Sequence, residues 1–333
     1  MARVCDKRSK RNVRVFITGI SGFAGSFLAE HLLANGYEVW GLVHRGPGHV
    51  AHIQTQLTLR QGDITDFESV YAVLAECRPA RIYHLAAQSF VPRSWENPWE
   101  TLENNIRGQL NVLEAARRLD SAPRILVVGS NEAYGRVQPN ELPISETTPF
   151  RPISPYGVSK ATQDLMGYQY WATYGMHVVR VRPFNHIGPR QSAQFVAAAF
   201  ASQLAEIEAG VRPPVLYVGN LDAKRDFSDV RDVVRAYHLA LEEGTAGEVY
   251  NVGSGEARSV QSLLDTLLAF TSVEVRVERD PARMRPSDIP EVRADIRKIQ
   301  ATTGWAPEIP FEQSVRDVLD YWRQRVRARF HSS

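Results

Sequence analysis

Cysteine is scarce in this chain. Its 333 residues include two, Cys5 and Cys77, and their spacing supports neither a disulfide framework nor a thiolate metal centre. No metal site is expected. There is no apolar run long enough to cross a bilayer. The basic opening "RVCDKRSKRNVR" is not followed by the apolar segment that a secretory signal carries. Neither sign of charge is in excess: 39 Lys and Arg against 37 Asp and Glu leave a net +2, which removes the electrostatic case for a nucleic-acid partner. Internal repeats and low-complexity tracts are missing too. What remains is a globular protein of a reducing, cytoplasmic setting, with no membrane and no nucleic acid as partner. Residues 1–12 read as a disordered basic tail, as chain ends of this composition usually are.

What is present is strand–helix alternation. The stretch 13–18 is short, apolar and β-branched, which suits a strand buried on both faces. Phe27, Leu28, Leu32 and Leu33 then recur at helical spacing until "NG" at 35–36 closes the helix. A second strand covers 37–43. The pattern continues through "FESVYAVLAEC", "RIYHLAA", "NNIRGQLNVLEAARRL", "RILVVGS", "SKATQDLMGYQYWATY" and "HVVRVRPFNHIGP". This order predicts an α/β fold, a Rossmann-type doubly wound parallel sheet, over residues 13–189. Beyond Pro189 the alternation breaks and proline and glycine loops become frequent. Residues 190–330 read mainly as a smaller α+β substrate-binding region closing over the sheet, some of it returning to the Rossmann domain.

The loop "TGISGFAG" lies between the first strand and the first helix. Gly19 permits a tight turn, Gly22 admits a pyrophosphate to the backbone, and Gly25 lets the helix pack on the sheet. Ser21, Phe23 and Ala24 lie between them, at a helix N-terminus that faces the phosphates. A dinucleotide is the expected cofactor. An acidic residue after the second strand would select NAD(H); here His44 and Arg45 stand in that place, and a guanidinium suits a 2′-phosphate. NADP(H) is therefore expected over NAD(H). Later strand ends supply further candidates for cofactor binding: Asp63 for the adenine amino group, with Ile64 beside it, then Leu85, Ala86, Ala87 and Gln88 where backbone passes close, and Asn105 at a helix start.

Tyr156 and Lys160 are one helical turn apart and share a face. A nearby ammonium and a positive nicotinamide ring would pull the phenol down toward neutrality, fitting it to exchange a proton with a sugar oxygen. Ser130 ends the preceding strand and can donate to the same oxygen. Glu132 follows two residues later, as a second proton-handling group or as a polar wall of the pocket.

Taken in order, "TGISGFAG", "GDITD", "HLAAQS", "GSNEAYG", "SPYGVSK", "RPFNHIGPRQ", "KRDFSDVRDVVRAY" and "VYNVGSG" resemble the extended short-chain dehydrogenases/reductases that act on nucleotide sugars. The likeness covers residues 13 to about 325. Within that superfamily "GNLDAKRDF" resembles the GDP-mannose 4,6-dehydratases. "FNHIGP", "DFSDVRDVV" and "DPARMRPSDIP" resemble the GDP-4-keto-6-deoxy-D-mannose reductases. The resemblance implies a GDP-sugar substrate, with Asn185 on its diphosphate, Arg225 and Arg285 clamping that diphosphate, Asp288 accepting from the ribose hydroxyls, and Asn220 in the stretch that favours guanine. It implies His186 on the cofactor side, and a homodimer paired through a four-helix interface by the helices that carry Asn105 and Tyr156. Dehydratases use a Thr/Ser-x-Glu triplet, which Ser130 and Glu132 reproduce. However, "GFAG" replaces their "GQDG", "HRGPGHVAHIQTQ" lacks their basic serine-containing loop, and Asn131 is no proton donor to a leaving hydroxyl. The reading favours NADP(H)-dependent reduction of a C4 ketone to GDP-6-deoxy-D-mannose. Open beside it are a GDP-mannose 4,6-dehydratase with Glu132 as C5 base and another sugar-nucleotide epimerase or dehydratase. The presence of both Tyr156 and Lys160 argues against a non-catalytic NADP(H)-binding regulator.

Overall fold

The computed structural model describes residues 13–283 and 289–331. The basic tail, Arg285 and Asp288 fall outside the described residues. The chain starts with β1 (Arg14–Thr18), α1 (Phe23–Ala34) and β2 (Glu38–Val43). A 3-10 stretch at Gly48–Gln56 leads to β3 (Thr58–Gln61). There follow α2 (Phe67–Cys77), its first turn capped by the Asp66 carboxylate, and β4 (Arg81–His84). Two short helices, α3 (Val91–Glu96) and α4 (Pro98–Leu102), precede a π-helical turn at Glu103–Arg107 that runs into α5 (Gly108–Arg117). The continuous helix expected from Asn104 onward thus begins with a widened turn, which carries Asn105 to a fully buried position.

After β5 (Arg124–Val128) comes the long α6 (Pro155–Tyr174). Ser154 caps it by accepting from the Gly157 amide, and Pro155 opens it, a pairing that fixes a helix start. β6 (Val178–Pro183) and β7 (Asn185–Ile187) follow, then α7 (Val196–Glu208), β8 (Val215–Val218), β9 (Lys224–Asp229), α8 (Val230–Glu243), β10 (Val249–Val252), β11 (Ala257–Ser259), α9 (Val260–Leu268) and β12 (Arg276–Arg279). The chain ends in α10 (Arg297–Thr303) and α11 (Phe311–His331).

The main sheet has the order β10-β6-β5-β4-β1-β2-β3, and every pair in it is parallel. Order reverses between β1 and β4, the switch point at which doubly wound folds bind ligands. Alternate residues serve opposite faces. Val15, Ile17, Val128 and Val181 pack with α1 and α8. Phe16, Ile125, Val127 and Val178 pack with α2, α5 and α6. Both faces are apolar, which is why these strands read as continuous hydrophobic runs. The α/β doubly wound fold expected from the sequence is the fold observed. Two later segments, α8 and β10, return to this sheet. A second core joins α7, α9 and α11 to β8, beside a three-stranded sheet β11-β9-β7 and the pair β12-β8.

Candidate active site

At the C-terminal ends of the strands lies a cavity of about 1460 Å³. The glycine loop forms one wall. Gly19 adopts φ +73°, and a Cβ on Gly25 would stand 2.1 Å from the Gly19 carbonyl oxygen, so the turn and the helix approach both require glycine. No side chain caps α1 and its first turn has no acid, leaving its amides to an anion. Ser21, Gly22, Phe23 and Ala24 line the cavity beside it. Farther along are Asp63 and Ile64. Hydrogen bonds from the Thr65 amide and hydroxyl, both 2.8 Å, hold the Asp63 carboxyl below its ordinary range.

His44 also lines the cavity, but Arg45 does not: it is exposed. His49 joins His44 on the lining, its amide donating to the Ser21 carbonyl at 3.1 Å. Burial, then the Arg190 charge, depress its imidazole. The sequence reading had passed over His49, whose inward position depends on how the 3-10 stretch folds back.

Ser130, Glu132, Tyr156 and Lys160 meet on the cavity. Ser130 follows β5 and its hydroxyl accepts from the Glu132 amide at 3.2 Å, which fixes the short turn carrying both. A Cβ on Gly157 would come within 2.6 Å of the Glu132 carbonyl oxygen, so glycine after Tyr156 lets that turn sit against α6. The Lys160 ammonium donates to the Val128 carbonyl at 2.9 Å and lies 5.9 Å from the Tyr156 ring centre. Burial brings Lys160 down to about 7. Burial also raises the Tyr156 phenol above its ordinary value; a hydrogen bond with Ser130 opposes this, and the Glu132 charge adds to it. The sequence reading expected a phenol pulled toward neutrality. In the protein alone the opposite holds, because desolvation disfavours charge on both groups.

Behind these groups runs a buried polar network that spacing alone did not reveal. Asn105, expected to contact the cofactor, is not on the cavity. Its side-chain oxygen accepts from the Gln88 amide at 2.8 Å, and its nitrogen donates to the Gln88 carbonyl at 3.1 Å and the Ser159 hydroxyl at 2.9 Å. It therefore clamps the loop Leu85–Ala86–Ala87–Gln88, whose four residues do line the cavity, to the helix of Tyr156. Thr18 accepts from the Ala86 amide at 3.1 Å and meets the His84 ring at 2.9 Å.

On the far wall, His186 stacks on Phe23 with ring centres 5.8 Å apart, and its Nδ1 donates to the Phe184 carbonyl at 3.1 Å. Asn185 lines the cavity, and its side-chain oxygen is buried with no partner among the described residues. Asn220 and Arg225 are not part of the lining. Asn220 accepts from the Asp222 amide at 3.0 Å. Arg225 donates to the Lys224 and Ile289 carbonyls at 2.8 and 2.7 Å. Among the described residues no cluster of three or more His, Cys, Asp or Glu is placed to hold a metal, and no helix is long and apolar enough to cross a membrane.

The glycine cradle and the uncapped helix end fit a dinucleotide. With serine, tyrosine and lysine on the same cavity, they define an extended short-chain dehydrogenase/reductase. Within that class the chain belongs to the GDP-mannose 4,6 dehydratase family, whose sequence profile matches residues 16–318. It is 38% identical to GDP-6-deoxy-D-mannose reductase of Pseudomonas aeruginosa over 94% of this chain and 98% of that one. It is 33% identical to GDP-mannose 4,6 dehydratase 1 of Arabidopsis thaliana, over 91% and 88% of the two chains. The fold superposes on the structure of RMD from Pseudomonas aeruginosa complexed with NADPH with a TM-score of 0.84 and 35% identity, covering 94% of this chain and 99% of that one.

Proposed function

We propose that this protein reduces the C4 ketone of GDP-4-keto-6-deoxy-D-mannose with NADPH, giving GDP-6-deoxy-D-mannose. One observation carries the reading: the likeness to a GDP-6-deoxy-D-mannose reductase extends over nearly the whole of both chains. Tyr156, on the cavity with Ser130 and Lys160, supplies the proton donor that a ketone reduction needs.

NADPH, when bound, supplies the hydride. Tyr156 gives its proton to the C4 oxygen, and Ser130 donates a hydrogen bond to that oxygen as charge develops on it. Lys160 holds the nicotinamide ribose and favours the phenolate left behind. One hydride and one proton are taken up per sugar, so one NADPH is consumed for each product. His44, with His49 beside it, faces the 2′-phosphate. Asn185, Asn220, Arg225, Arg285 and Asp288 are assigned to the substrate by resemblance. The active form is a homodimer through α5 and α6, whose outer faces expose Leu110, Val158, Leu165 and Tyr168, Leu165 to 60%. A monomer by light scattering at micromolar concentration would overturn that. The compartment is the cytoplasm, where Cys77, buried with its thiol pushed up to about 12, stays reduced.

The test supplies GDP-mannose alone in one mixture and GDP-4-keto-6-deoxy-D-mannose with NADPH in another. Stoichiometric NADPH oxidation in the second and no reaction in the first are expected. Conversion of GDP-mannose without added reductant would refute the reading and install the dehydratase, which the position of Glu132 on the cavity would then serve. Tyr156→Phe should lower kcat roughly 10²- to 10⁴-fold, the span of general acid catalysis, whereas Glu132→Gln should retain most of the reduction.

A further inference from the structure

One polar side chain enters the cavity without a task in that reaction. Tyr237 sits on α8, 1% exposed. Its ring belongs to the core between α1, α8 and the sheet, yet it also lines the cavity with Tyr156, Val128 and Pro183. Among the described residues its hydroxyl has no hydrogen-bond partner. Other buried phenols are paired: Tyr134 with Asn251 and Arg182, Tyr170 with Glu114. Tyr83 is also unpaired, but it is not on the cavity. Packing alone would be served by phenylalanine, so the hydroxyl on this cavity-lining residue is left for a ligand.

The place of Tyr237 says what the hydroxyl is for. α8 lies on the face of the sheet opposite α6, so Tyr237 and Tyr156 reach the cavity from opposite faces, near the ends of β5 and β6. The two are close enough for the charge of Tyr156 to act on Tyr237. A dinucleotide anchored by its pyrophosphate at the glycine loop crosses the switch point, and its nicotinamide end then arrives between the two tyrosines. The one hydrogen-bonding substituent on that ring is the carboxamide.

We propose that the Tyr237 hydroxyl hydrogen-bonds the nicotinamide carboxamide when the cofactor is bound and so helps fix the position of its ring. This rests on the NADPH part of the proposed function and not on the identity of the sugar. The experiment is calorimetric titration of Tyr237→Phe and the unaltered protein with NADPH and with 2′-phospho-ADP-ribose, which ends before the nicotinamide. The variant should bind NADPH roughly two- to twelvefold more weakly, the worth of one neutral hydrogen bond, and bind 2′-phospho-ADP-ribose unchanged. Unchanged NADPH affinity, or equal loss on both ligands, would overturn the proposal. Failure of the unaltered protein to bind NADPH would remove the proposal together with the cofactor reading. Failure to reduce the sugar ketone with NADPH binding intact would remove the proposed reaction and leave this test standing.

Discussion

Acidifying the cofactor-free protein from about pH 7 to about pH 5.5 should cost it stability through one side chain. His84 ends β4 and is 2% exposed. Its Nδ1 meets the Thr18 hydroxyl at 2.9 Å, and its Nε2 faces the Gln163 amide nitrogen at 3.4 Å. Because that nitrogen donates, the ring is held neutral with its proton on Nδ1. Burial, then the Lys160 charge, hold its pKa at about 3, against 6.5 ordinarily. The folded value lies below the unfolded one, so the unfolded chain takes the proton first. The contribution is complete above 6.5 and drains away as the pH falls toward 3. At about 1.36 kcal/mol per unit, the loss from pH 7 to 5.5 comes to about 1.3 kcal/mol. Urea unfolding at both pH values, on the unaltered protein and on His84→Gln, isolates this term, since the other titrating groups are common to both. The variant should show a pH dependence smaller by about that amount. Equal pH dependence in the two proteins would refute the assignment of a buried neutral imidazole.

Two further outcomes are expected. Gly25→Ala would press a methyl group into the Gly19 carbonyl 2.1 Å away; it should weaken NADPH binding at least about fivefold by fluorescence titration, since overpacking costs about 1–3 kcal/mol. Asp164 is buried between Arg180 and Arg182 at 2.6 and 2.8 Å; Asp164→Asn should lower the unfolding free energy by about 3–5 kcal/mol in urea, the cost of leaving buried charge unpaired, and a loss below about 1 kcal/mol would show that the pair is not desolvated.

The sheet was legible because its parallel strands are apolar on both faces and alternate with helices of period 3.6. The glycine loop and the pair Tyr156 and Lys160 were legible because each is a local spacing. The acidic residues of "KRDFSDVRD" were legible as a likeness but not as physics. In the fold Asp226 accepts from the Ser254, Gly255 and Ala294 amides. Asp229 caps α8 and accepts from Ser314. Asp232 accepts from the Glu308 and Ile309 amides. These carboxylates tie "VYNVGSG" to β9 and "TGWAPEIP" to α8, so the motifs serve folding. Thr18, His84, Asn105 and Gln163 stayed hidden because only the topology assembles them, and Tyr237 because a phenol on an apolar helix face reads as core.

Glu132 acts on the site through its charge on a neighbour as well as by its own chemistry. Dehydration requires Tyr156 to start as a base; reduction requires it to start as an acid. A carboxylate beside a buried phenol opposes phenolate; the dehydratases' triplet carries the same carboxylate, so this charge alone does not choose between the two tasks. Asn131, between Ser130 and Glu132, offers an amide that cannot pass a proton to a departing hydroxyl. Removing the charge in Glu132→Gln should therefore preserve ketone reduction while moving the alkaline limb of its pH profile to lower pH, as Tyr156 loses its proton more readily. A Glu132→Gln enzyme as inactive as Tyr156→Phe would instead mean that this carboxyl transfers a proton itself.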